Sequence, residues 1–87
     1  MTQIDAIQIA KDFARANAKI AFGDVIRVQL FLHDEMRQID PHEADKYTAL
    51  KKVWSIVFEL IDSEIIPKAL VVRIDDQSGI ASFFKNM

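Results

Sequence analysis

Leu70-Val71-Val72-Arg73-Ile74-Asp75-Asp76-Gln77-Ser78-Gly79-Ile80-Ala81-Ser82-Phe83-Phe84-Lys85 reads as a β-hairpin, and the rest of the chain can be arranged around it. Leu70, Val72 and Ile74 fall on one face of a strand over 69–75. Asp76-Gln77-Ser78-Gly79 places Asp first and Gly fourth, which suits a type I turn closed by a glycine bulge. A return strand over 80–85 follows. With Gln77-Ser78-Gly79 as the loop, Asp76 faces Ile80, Val72 faces Phe84 and Arg73 faces Phe83. This register predicts Phe84 in the core and Phe83 on the outer face.

Two further strands precede the hairpin. Over 53–61, Trp54, Ile56, Phe58 and Leu60 share one face, which makes Trp54 a core residue. Over 25–33, after Gly23-Asp24, Ile26, Val28, Leu30 and Leu32 point one way and Arg27, Gln29, Phe31 and His33 the other. Residues 3–18 carry a helical period instead. Thr2 can cap the start, and Asp5, three residues on, can return the bond. Asp5, Gln8, Lys11, Asp12, Arg15 and Lys19 share a polar arc opposite Ala6, Ile7, Ile9, Ala10, Phe13, Ala14 and Ala16. Ala6, Ala10 and Ala14, spaced by four, form a row that lets the helix lie close on a sheet. Asn17 sits in the apolar arc and is expected to end the helix near a left-handed cap. A helix of about 17 residues and strands of about 8–9 residues have matching lengths, so one helix can cover one sheet face. The fold expected is α+β: one N-terminal helix on a four-stranded antiparallel meander sheet, as a single domain over 1–87.

The connection over 34–52 is too long for a hairpin loop. Asp40-Pro41-His42-Glu43 is a helix-start signal, which predicts a short extra helix around 41–50. Asp34, Glu35, Asp40, Glu43 and Asp45 make this connection acidic, a candidate steering surface for a basic partner.

Composition narrows the function classes. The 87 residues are 51% hydrophobic and 28% charged, a globular balance for one core. A net charge of -2 argues against a nucleic-acid binder. Without cysteine there are no disulfides or thiolate metal sites. His33-Asp34-Glu35 and His42-Glu43 are the histidine–carboxylate clusters, but their spacing sets no coordination geometry, so no metal or other cofactor is expected. Phosphate-binding glycine loops and nucleophile elbows are absent, and Ser55, Ser63, Ser78 and Ser82 lack the base and oxyanion context of a nucleophile. The start of the sequence has no signal-peptide pattern and no apolar run is long enough to span a bilayer. The expectation is a cytoplasmic, non-enzymatic protein with no membrane partner.

The outer sheet face is the informative surface. Val25, Phe31, Val53, Val57, Ile61, Ala69, Val71, Ala81 and Phe83 are assigned to it, interspersed with Arg27, Gln29, His33, Ser55, Glu59, Arg73, Asp75 and Lys85. A solvated face usually carries fewer large apolar groups, and such a patch marks an interface. Its candidate contact residues are Arg27, Phe31, Val57, Val71, Arg73 and Phe83, with an Arg73–Phe83 contact as its anchor.

Asp5-Ala6-Ile7-Gln8-Ile9-Ala10 on the helix, Trp54-Ser55-Ile56-Val57-Phe58 on a strand and Leu70 to Gly79 at the final hairpin resemble small cystatin-like domains. These include the PepSY-type domains and the small immunity proteins that bacteria encode beside polymorphic toxins. PepSY-type domains are usually exported or attached to membrane proteins, whereas this sequence shows no leader, so the resemblance favours the immunity type. It implies a non-catalytic module that sequesters a partner protein such as a toxin, and it carries over no catalytic residues. Two other classes are weighed: a structural domain pairing with a second copy of itself, and a small-ligand-binding or enzymatic cystatin-like or NTF2-like domain with a cavity beside Asn17 and Trp54.

Overall fold

Thr2 starts the helix by the reciprocal bond its spacing from Asp5 allows. In the computed structural model the Asp5 N–H donates to Thr2 Oγ1 at 3.2 Å, and the Thr2 N–H donates to the Asp5 carboxylate at 3.3 Å. Helix α1 then runs Gln3–Asn17. The structure describes residues 1–19, 21–32, 38–39, 51–61 and 69–84. The helix ends at Asn17 without a left-handed residue. Ala18 is extended (φ -73°, ψ 135°) and its N–H donates to the Ala14 carbonyl. The Asn17 side-chain amide donates back to the Phe13 carbonyl one turn earlier, at 2.9 Å.

Four strands form the expected antiparallel meander: β1 (Phe22–Leu32), β3 (Lys52–Leu60), β4 (Leu70–Asp75) and β5 (Ala81–Phe83). A two-residue strand, β2 (Gln38–Ile39), pairs with the free edge of β1 and gives the order β2-β1-β3-β4-β5. Helix α1 lies on one face. Its alanine row, Ala6, Ala10 and Ala14, has no exposed surface and packs with Leu30, Trp54, Ile56, Phe58, Val72 and Ile74. Methyl side chains set the helix against the sheet without large groups between them. Trp54 is in this core, and its Nε1–H donates to Asp76 Oδ1 at 2.7 Å. Asp76 also faces the N-terminal amine at 3.6 Å, and its N–H donates to the Lys52 carbonyl. One aspartate thus ties the hairpin turn to the core, the chain start and β3.

Two one-residue shifts separate the observed register from the expected one. The hairpin loop has four residues, not three. The Gly79 N–H donates to the Asp75 carbonyl at 2.8 Å, and the Asp75 N–H to the Ile80 carbonyl at 3.1 Å. Gly79 has φ 74°, the left-handed value that favours glycine. Asp75, rather than Asp76, therefore faces Ile80, and Val72 pairs with Phe83 and Arg73 with Ser82. A shift of one residue moves every side chain of a strand to the opposite face. Phe83 is on the core side, edge-on to Phe13 with ring centroids 4.7 Å apart. Phe84 is on the outer side, reversing the expected assignment of the two phenylalanines. Ala81 likewise packs against the core rather than on the outer face.

The second shift is a β-bulge in β1. Val25 pairs with Phe58 and Arg27 with Val57, so Ile26 is one residue too many for the ladder. Val25 consequently packs against the core, and Ile26 is 59% exposed. Strict alternation over 25–33 predicts these two residues the other way round. From Arg27 to Leu32 the ladder is continuous, and that part of the alternation holds.

Candidate functional site

Across the outer face, three strands align their side chains in rows. Arg27, Val57 and Val71 form one row, and Phe84 joins it through its N–H bond to the Val71 carbonyl at 2.9 Å. Gln29, Ser55 and Arg73 form the next, with Ser82 opposite Arg73. Phe31, Val53 and Asp75 form the third. The first two rows apart from Ser82, with Phe31, Ile26 and Ala69, line a solvent-open groove of about 470 Å³.

Arg73 is the centre of this groove. Its guanidinium carbon lies 3.8 Å from the Phe84 ring centroid and 5.9 Å from that of Phe31. These aromatic faces attract the cation and hold its position. Arg73 Nε is buried and has no hydrogen-bond partner among the described residues. Beneath the arginine, Ser55 is 4% exposed and Val71 9%, so the floor is shielded while Phe84, at 43%, stands out at the rim. At the other end of β4, the Gln77 N–H donates to the Asp75 carboxylate at 3.0 Å and holds its pKa below the ordinary aspartate value. That turn-stabilising bond is present at neutral pH and is lost as pH falls through the lowered pKa.

Five of the six expected contact residues, Arg27, Phe31, Val57, Val71 and Arg73, meet in the groove. Phe83 does not; the longer turn puts Phe84 in its place, and the anticipated Arg73–Phe83 contact is an Arg73–Phe84 contact. Ile26 is the other lining residue that sequence reasoning missed, because a bulge leaves no mark in a run of adjacent β-branched residues. The acidic residues Asp34, Glu35, Asp40, Glu43 and Asp45, the helix expected around 41–50, and His33 and His42 lie outside the described residues. Among the described residues no group of three or more His, Asp or Glu could hold a metal ion, and no helix is long and apolar enough to cross a membrane.

Comparison with known proteins found no matching family model, no matching curated protein and no matching solved structure. The functional reading therefore stands on the groove and on the sequence.

Proposed function

We propose that this chain is a non-catalytic protein-binding module whose contact surface is the outer sheet face, and that it sequesters its partner as an immunity or inhibitor protein does. The observation that carries the binding reading is Arg73, set against Phe84 and Phe31 over a shielded floor of Ser55 and Val71. Arginine and aromatic residues clustered in a shielded patch are the composition of interface hot spots. The sequestering role, with a toxin as the partner, is supported by the resemblance of the helix, β3 and the hairpin to small cystatin-like immunity proteins.

A photo-crosslinking residue placed at Val57 in the groove, or at Gln8 on the exposed helix face, tests this in the native cell. The reading predicts a discrete adduct with one other protein from position 57 and none from position 8. It further predicts that the captured protein, when toxic alone, loses its toxicity on binding. An adduct between two copies of this chain would instead support the self-pairing reading. No adduct from position 57, with one from position 8, would contradict the outer face as the contact surface.

A further inference from the structure

We infer that the groove is a receptor for a carboxylate, carried by an acidic side chain that a partner protein presents between apolar neighbours. The inference rests on the protein-binding reading above and adds the chemistry of the partner.

Charge is the first argument. Two cations, Arg27 and Arg73, line the groove, and among the described residues no carboxylate lines it. Neither arginine has an ion-pair partner among the described residues, although the chain as a whole carries a net charge of -2. Donor satisfaction is the second. Arg73 Nε–H is buried and has no hydrogen-bond partner among the described residues, and leaving such a donor unpaired is unfavourable, whereas the side chain as a whole is half-buried and an arriving acceptor meets its terminal amino groups. Aromatic contacts engage the face of a guanidinium and leave its edge, a planar fork of N–H donors, for an acceptor. A carboxylate matches that fork with two parallel bonds and is the acceptor that gains most from it.

Shape is the third argument. Gln29, Ser55 and Arg27 share the lining with Phe31, Phe84, Val57 and Val71, and it is against these four that apolar groups flanking the carboxylate gain from burial. A volume of about 470 Å³ is in the size range of ligand sites, but this one is open along the sheet rather than enclosed. Small-ligand sites typically surround most of their ligand. An open groove suits a segment whose own protein covers the remaining side. Two arginines on a chain of net negative charge also disfavour a nucleic-acid backbone, which needs a broad basic surface.

The test uses the full chain, isotope-labelled, and two synthetic peptides: acetyl-Phe-Glu-Phe-amide and its Gln counterpart. NMR follows the Arg73 Nε–H resonance and the amides of Ser55, Val71 and Phe84. The Glu peptide is expected to shift these signals and saturate in the millimolar range, with the Gln peptide at least about tenfold weaker. In Arg73→Gln, whose spectrum first establishes that the fold is retained, that preference should vanish. Equal binding of the two peptides, or no shift with either, overturns the carboxylate inference. If the crosslinker at Val57 still captures a protein in that case, the protein-binding reading survives; if it captures none, both fail. Binding of 3-phenylpropionate as strong as that of the Glu peptide would make the site a small-molecule carboxylate pocket and overturn the polypeptide part.

Discussion

Trp54→Ala is expected to lower the unfolding free energy by about 3–5 kcal/mol, the usual cost of truncating a large buried aromatic residue. A domain of this length has on the order of 4–13 kcal/mol in total, so this one substitution should remove a large share of it. Two terms add. The ring is 1% exposed, near the start of β3 and between Leu30 on β1 and Ile74 on β4, and its removal leaves a void under the helix. Its Nε1–H also holds Asp76, which links the hairpin turn to the N-terminal amine and to the Lys52 carbonyl. Trp54→Phe keeps most of the volume and loses the bond, so its cost should be smaller, about 1–2 kcal/mol. Urea unfolding followed by far-UV circular dichroism measures both, because Trp54 is the only tryptophan and its fluorescence disappears with it. A cost below about 1 kcal/mol for Trp54→Ala would mean that the ring does not sit in the core.

The second large effect is an asymmetry between adjacent phenylalanines. Phe83→Ala should cost about 2–4 kcal/mol, because the ring packs edge-on to Phe13 and against the core. Phe84→Ala should cost no more than about 1 kcal/mol, because that ring is 43% exposed and its main contact is the Arg73 cation. A three-residue loop at Gln77-Ser78-Gly79 would reverse the order. The same pair of denaturation curves therefore reports which phenylalanine is available for binding. A larger loss at Phe84 than at Phe83 would move the aromatic wall of the groove back into the core.

Where sequence reading succeeded and where it failed follows from what each signal encodes. Thr2 and Asp5 define the helix start because a capping box is local, set by two side chains three residues apart. Ala6, Ala10 and Ala14 announce a close-packed helix face, and Trp54, Ile56 and Phe58 a buried strand face, because burial leaves its period in composition. Register is different in kind. Phe83 and Phe84 are the same residue type, so hydrophobic pattern cannot say which faces inward. Asp76-Gln77-Ser78-Gly79 is compatible with a three- or a four-residue loop, and only the bonds from the Gly79 N–H to the Asp75 carbonyl and from the Asp75 N–H to the Ile80 carbonyl distinguish them. Val25 and Ile26 pose the same ambiguity in β1, where the bulge opposite Phe58 and Val57 sends Ile26 outward. Strand β2, at two residues, is too short to carry a period at all. Most of the groove was legible because Arg27, Phe31, Val57, Val71 and Arg73 lie where the ladder is regular. The two aromatic residues misassigned, Phe83 and Phe84, are those whose faces depend on the length of a turn.

In the proposed binding mode the contact is centred on Arg73 and its aromatic neighbours. The most direct measurement is the affinity of the partner captured through position 57 for the wild-type chain, Arg73→Ala and Phe84→Ala, by calorimetry on variants with retained folds. Removal of a hot-spot residue costs at least about 2 kcal/mol, so each variant should bind about 30-fold more weakly or worse. Unchanged affinity for both variants would contradict the claim and place the contact surface elsewhere on the chain.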